Sequence, residues 1–368
     1  MVKPIEIKPS KSLIKRALQH SFSVVFSVAG LAVATIVVAI ASLFWGAYDI
    51  APSEILHYII SLLDWSDAAV PASIHYMLFN LRLPRIILAL LVGATLAISG
   101  ASLQALFRNP LADPMMVGIT FGAMLFAVAG LVLVNSMLFL FHNFFGYISV
   151  TILAFIGSLI TTGLVYKLST FGGRTYVATM LLAGIAIGSL SSALTGLITY
   201  FSNESQLRDI TFWTLGSLGG AQWQVIIILF PITFLITFLL IRQSRALNLL
   251  LLGEQEAAYA GVNVQKVKKT VILCTALGVG ACVATCGVIG FVGLVVPHLL
   301  RMMRGTDYRW LLPGSALLGG ALLIIADTIA RTAIAPAELP IGVLTSLIGS
   351  PFFLWLLLKS RGRMSVNF

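Results

Sequence analysis

Residues 270–300 read TVILCTALGVGACVATCGVIGFVGLVVPHLL and contain no charged side chain. Wound as one straight helix, the stretch would measure about 46 Å at roughly 1.5 Å per residue, well beyond a hydrocarbon core of about 30 Å. Wound as two crossings, each is unusually short. The choice fixes the side of a membrane on which all later residues lie. The chain around it has 368 residues, 59% of them hydrophobic and 10% charged, with mean hydropathy +1.01, a composition outside the soluble range. Predominantly apolar runs near the bilayer-spanning length occur at 22–45, 86–107, 115–134, 144–165, 177–201, 225–241, 311–330 and 341–358.

Charge asymmetry chooses between the two readings, because lysine and arginine are retained on the cytoplasmic side. With two crossings at 270–300, ten spans in all and the N-terminus inside, nineteen basic residues fall inside and four outside, namely Arg82, Arg85, Arg208 and Arg331. With one crossing the split falls to fourteen against nine. The expected architecture is therefore an all-α integral membrane protein of ten transmembrane helices. A basic N-terminal segment (1–21) and a tail (359–368) flank the helical domain (22–358), and both termini are cytoplasmic. The formal charge of +10 follows this topology; no basic stripe interleaved with aromatics marks a nucleic-acid face.

A repeat agrees with the count. GATLAISG (93–100) and GACVATCG (280–287) share G-A-x-x-A-x-x-G, and each is followed ten residues later by a proline, Pro110 and Pro297. On spans 2 and 7 of the ten they run in opposite directions, as in transporters built from inverted halves whose small residues let helices approach closely. The three cysteines, Cys274, Cys282 and Cys286, have neither disulfide-framework nor paired metal spacing and read as core residues.

The chain has no phosphate-binding G-x-x-x-x-G-K-[ST] loop, no HExxH helix and no dense carboxylate cluster, so nucleotide hydrolysis and zinc catalysis are not expected of it. Asp327 is the clearest charge within a span. Arg331, four residues later on the same helical face, reads as its ion-pair partner. The largest polar piece, RALNLLLLGEQEAAYAGVNVQKVKK (245–269), reads as two short cytoplasmic helices, broken at Gly253 and stopped at Gly261. A compact helical knob with apolar and acidic faces, on a protein without its own ATPase, suits docking of a partner.

LRLPR (81–85), LLVGATLAISGASLQALFRNPLADP (90–114), LLLLGEQEAAYAGVNV (249–264), GVIGFVGLVVPHLLR (287–301) and AELPIGVLTSLIGSPFFLWLL (337–357) together resemble the permease subunits of type II ABC importers, the FecCD family that serves haem, ferric siderophores and vitamin B12. The resemblance implies a permease homodimer in the bacterial inner membrane. Two cytoplasmic ATPase subunits would bind ATP and magnesium, and a periplasmic binding protein would deliver cargo. The chain itself would hold no cofactor or metal.

Residue by residue, the resemblance puts Arg82, Arg85 and Arg331 where these permeases pair with glutamates on the binding protein, and charge reversal at Arg82 and Arg331 would weaken docking. Arg208 is left as an interfacial anchor. Gly253, Glu254, Ala257 and Gly261 become the central positions that receive the ATPase stroke. Asn109, Pro110 and Leu111 contribute to an inner gate, with Val177 and Ala178 as a second gate site, although these are apolar where relatives can carry hydroxyls. DITFWTLGSLGGAQW (209–223), a short helix after span 5, looks most like the haem branch. Met77, Met115, Met116, Met124 and His75 could touch a porphyrin or its iron, but also suit packing. The competing class is a secondary carrier, which would need coupling groups at mid-membrane and no partner.

Overall fold

The computed structural model describes residues 11–46, 50–62, 71–134 and 148–364. Lys3, Lys8, the start of the expected span at 144–147 and the last four residues of the tail lie outside them. The architecture is helical apart from one small hairpin. Its helices are α1 (Lys11–Phe44), α2 (Pro52–Leu62), α3 (Ala72–Leu106), α4 (Ile119–Ala129), α5 (Ile148–Leu168), α6 (Val177–Tyr200) and α7 (Glu204–Leu215). They continue as α8 (Trp223–Arg242), α9 (Ser244–Leu250), α10 (Glu254–Tyr259), α11 (Val264–Cys286), α12 (Val292–Arg304), α13 (Tyr308–Thr332) and α14 (Ile341–Met364). Two-residue strands β1 (Thr170–Phe171) and β2 (Arg174–Thr175) pair antiparallel just ahead of α6.

Among the described residues seven helices are long and apolar enough to cross a bilayer, and Ile119–Val132 and Ile341–Leu356 are shorter apolar helices. The stretch at 270–300 is two helices. Gly287 takes φ +70°, a left-handed conformation open to glycine, and a Cβ there would stand 2.1 Å from the Trp213 carbonyl oxygen. Ser217 N–H donates to the Cys286 carbonyl at 2.8 Å and Ile341 N–H to the Gly216 carbonyl at 3.1 Å. The end of α7, the break after α11 and the start of α14 therefore meet at one node, which satisfies backbone groups that a broken helix would otherwise leave unpaired within an apolar medium.

Helix α3 starts earlier than the apolar run suggests. It is continuous from Ala72, so Arg82 and Arg85 sit within it instead of ahead of it. Pro84 does not interrupt it because the preceding turns, Tyr76–Arg82, are wound as π-helix, which absorbs the hydrogen bond that proline cannot donate. This helix forms the centre of the bundle: 83% of its apolar window is enclosed, against 6% for α1 and 22% for α6. The outward faces carry Ile36 and Val37 on α1, Leu182 and Ile185 on α6, and Ile227 and Phe234 on α8. Apolar faces of this extent suit lipid or a second copy, not water.

The two glycine motifs lie at close helix contacts. A Cβ on Gly93 of α3 would come within 2.2 Å of the Gly319 carbonyl of α13, and one on Gly280 of α11 within 2.2 Å of Ser158 Oγ of α5. Cys274, Cys282 and Cys286 are buried free thiols.

Candidate functional sites at the two ends of the bundle

Helix α8 joins the two ends. At its start, Trp223 Nε1–H donates to the Phe79 carbonyl at 3.0 Å, next to the arginines of α3. At its finish, Arg242 leads into the polar connection that carries α9 and α10.

At the first end the sequence-predicted arginines converge, but as an interior network. Arg85 Nε–H donates to both carboxylate oxygens of Asp327, at 2.8 and 2.9 Å, and its Nη1 to Glu338 Oε1 at 2.7 Å. Arg331 Nε lies 3.8 Å from Asp327 Oδ2, while Nη2 donates to the Ser42 carbonyl at 2.7 Å and to Ser42 Oγ at 2.8 Å. Arg82 Nη1 donates to the Leu43 carbonyl, and its guanidinium covers Gly46. Arg82 and Arg331 are 6% and 4% exposed, so both are buried. The most accessible member of the cluster is the Glu338 carboxylate, whose side chain is 41% exposed. Desolvating Asp327 is compensated by Arg85 more than by its helical neighbour Arg331. The i, i+4 pair expected from sequence is present; its tighter partner, on another helix, was not anticipated.

At the opposite end the polar connection folds as two short helices with the expected break and stop. Gly253 has φ +141° before α10, and Gly261 has φ +86° after it. The latter's N–H bonds to the Ala258 carbonyl at 2.9 Å and that of Val262 to Ala257 at 3.0 Å. Gly261 and Tyr259 are exposed, whereas Ala257 is fully buried and fastens α10 to the bundle. Glu254, the first residue of α10, pairs with Lys268 of α11, a buried lysine that in sequence is one of the cytoplasmic basic group. One signal could have found it. Val264, Val267, Lys268 and Val271 recur at helical spacing and are all buried, while Lys266 and Lys269 face outward.

The turn between α3 and α4 is ordered locally. Asn109 Oδ1 accepts from the Leu111 N–H at 2.9 Å, and Asp113 Oδ1 accepts from the Met115 N–H at 2.8 Å. Desolvation pushes the Asp113 carboxyl up to about 6, a rise only partly opposed by the Met115 hydrogen bond. Pro110, Leu111 and Ala178 are exposed, Val177 half-buried. The turn lies beside α6, since a Cβ on Gly184 would meet the Met116 carbonyl at 1.9 Å. Behind it Gln104 of α3 holds α12 at two points, its Nε2 donating to the Gly293 carbonyl at 3.1 Å and its Oε1 accepting from Arg301 Nη2 at 2.6 Å.

The cargo candidates do not converge. Met77 packs with the small cluster around Ile55, Met124 against the main core, and Met115 and Met116 lie at the turn. His75 stacks on Phe79 at 5.4 Å and faces Tyr58 at 5.7 Å. Among the described residues no group of three or more His, Cys, Asp and Glu is placed to hold a metal ion. The short helix expected at 209–223 after span 5 is α7 at Glu204–Leu215: a reciprocal Asn203–Gln206 capping box starts it earlier, and Gly216 at φ +72° ends it well before residue 223.

The FecCD transport family profile matches residues 34–359. The chain is 49% identical over 301 residues to the hemin transport system permease protein HmuU of Yersinia pestis, covering 82% of this chain and 88% of that one. It is 41% identical to the cobalamin import system permease protein BtuC of Halobacterium salinarum (78% and 75% covered) and 42% to the vitamin B12 import system permease protein BtuC of Vibrio vulnificus (78% and 84%). Among solved structures, a metal-chelate type ABC transporter in an inward-facing conformation superposes with TM-score 0.77 at 32% identity, covering 90% of this chain and 98% of that one.

Proposed function

The chain belongs to the FecCD transport family as an ABC importer permease, and from that premise we propose that its cargo is haem, carried from periplasm to cytoplasm across a bacterial inner membrane. The observation that carries this choice is the 49% identity to a hemin permease, against 41% and 42% to the cobalamin and vitamin B12 permeases. The working assembly is a homodimer of ten-span subunits with cytoplasmic termini. Two ATPase subunits sit below it and a periplasmic binding protein above. ATP hydrolysis belongs to the ATPase subunits.

In this reading the residues 249–262, with Gly253, Glu254, Ala257 and Gly261 at their centre, receive the ATPase stroke. Asn109, Pro110, Leu111, Val177 and Ala178 form the inner gate, and the end that holds Arg82, Arg85 and Arg331 meets the binding protein. The energetic division follows from chemistry. This chain offers no phosphate loop, so the work of moving cargo enters mechanically, through surfaces.

The test is uptake by proteoliposomes holding the permease with its ATPase, supplied with the cognate binding protein loaded with haemin, a ferric siderophore or cyanocobalamin. ATP-dependent accumulation of haemin alone is expected. Accumulation of cyanocobalamin or the siderophore in its place overturns the cargo, and transport by the permease alone without nucleotide overturns the importer reading in favour of a secondary carrier. Gly261→Val, placed in open space at a left-handed backbone position, should leave hydrolysis running while uptake falls; normal uptake would remove the coupling assignment.

A further inference from the structure

Lys268 lies near the start of α11 with its side chain 3% exposed. Its Nζ is 2.7 Å from Glu254 Oε1, donates to Glu254 Oε2 at 2.8 Å, and donates to the Thr175 carbonyl at 2.7 Å. An ammonium has three N–H donors, and three acceptors surround this one. One turn earlier, Gln265 Oε1 accepts from the Thr175 N–H at 3.0 Å. Both backbone groups of Thr175 are thus held by side chains of one face of α11. Thr175 is the last residue of β2, and α6 begins two residues later at Val177. Glu254 is the first residue of α10.

A buried ammonium is a poor choice for stability alone, since its desolvation offsets much of the attraction and an apolar side chain of similar size would fill the same space. What an apolar residue could not do is hold a carboxylate of one element and a backbone carbonyl of another at once. The carboxylate end is the loose one: Glu254 is 40% exposed, within reach of anything that presses on α10. The carbonyl end is enclosed, with Thr175 buried and its hydroxyl 3.1 Å from that of Thr170 across the hairpin.

We infer that Lys268 is a positioning residue that ties α10 to the β1–β2 hairpin, so that movement of α10 is passed to the start of α6. The inference rests on the reading of 249–262 as the surface that receives the ATPase stroke. It adds the route by which that input reaches Val177 and Ala178.

The experiment measures ATP hydrolysis and haemin uptake together in proteoliposomes of the assembled complex, for Lys268→Met, Glu254→Gln and the double variant. Each single variant is expected to keep hydrolysis within about twofold while uptake falls roughly tenfold. The double variant should lose no more than the worse single one, because Lys268→Met removes the donor of the same link from which Glu254→Gln removes the charge. Uptake per ATP that is unchanged in Lys268→Met, or losses that multiply in the double variant, overturns the inference. Should Lys268→Met fail to assemble, Glu254→Gln, altered at a partly exposed acid, carries the test alone, and full coupling in it overturns the inference. Gly261→Val separates the two levels. If it uncouples while Lys268→Met does not, only the Lys268 link fails; if it too stays coupled, the reading of 249–262 fails with it.

Discussion

Replacing Glu338 by glutamine tests whether Arg85 serves an arriving carboxylate. The Glu338 side chain is 41% exposed and lies 2.7 Å from Arg85 Nη1. Two unit charges about 4 Å apart attract by about 1 to 4 kcal/mol between bulk-water and near-surface dielectrics. Competition from water and lost side-chain freedom reduce the net value of such pairs to about 0.2 to 1 kcal/mol. A carboxylate from a docking protein must displace Glu338 before it can reach Nη1, so Glu338→Gln removes a competitor worth at most about 1 kcal/mol, roughly a fivefold fall in Kd. Arg85 should hold its position, because Nε remains bonded to both Asp327 oxygens.

The assay is biolayer interferometry of the cognate binding protein on the permease–ATPase complex in nanodiscs, at about 0.05 M and 0.5 M salt. The expected result is a Kd two- to fivefold lower at low salt, converging with wild type at high salt, with an unchanged thermal midpoint. A low-salt Kd that stays equal or rises would refute the reasoning and leave Arg85 as an interior strut. Charge reversal at Arg331 cannot replace this test. It would set a second carboxylate beside buried Asp327, at a cost of about 3 to 5 kcal/mol, and would report folding instead of docking.

Asp327→Asn removes the buried anion shared by Arg85 and Arg331 and should destabilise the permease by about 3 kcal/mol, read as a lower thermal midpoint in detergent; an unmoved midpoint would show the network to be dispensable. Gly100→Val would drive a Cβ to 2.1 Å from the Gly293 carbonyl, and since backbone cannot swing aside, a loss of about 3 kcal/mol and poor recovery of folded protein are expected; wild-type yield and midpoint would contradict that packing. Asp113 has its carboxyl raised from 3.8 to about 6 by burial, so the folded state binds more protons than the unfolded one between those values, and its contribution to stability falls as pH rises through that window and is level above it. Asp113→Asn, which keeps the acceptor for the Met115 N–H, should match wild type near pH 4 and exceed it in thermal midpoint above pH 6; a difference independent of pH would remove the assignment.

Much of the architecture is carried by local properties that a linear reading can reach. Hydropathy over about 20 residues reports what a helix must bury or offer to lipid, so most apolar runs fall on helices, and the stretch at 270–300, too long for one straight crossing, divides at a glycine. The two short helices of the polar connection follow from Gly253 and Gly261, because left-handed backbone positions advertise themselves. The early start of α3 escaped, since a proline between two arginines looks like a boundary unless the preceding turns are π-wound.

The partners of the charges are fixed elsewhere. Arg85 finds Asp327 and Glu338 at sequence separations of 242 and 253, and Lys268 finds Thr175 at 93. Topology alone assigns such residues to a side of the membrane, and in sequence Lys266, Lys268 and Lys269 are equal members of one basic group. Whether a cation meets water, a partner or an interior carboxylate depends on which helices the close glycine contacts bring together. That pairing is a property of the packed bundle, because the cost of burying a charge is decided by atoms that the chain supplies from far away.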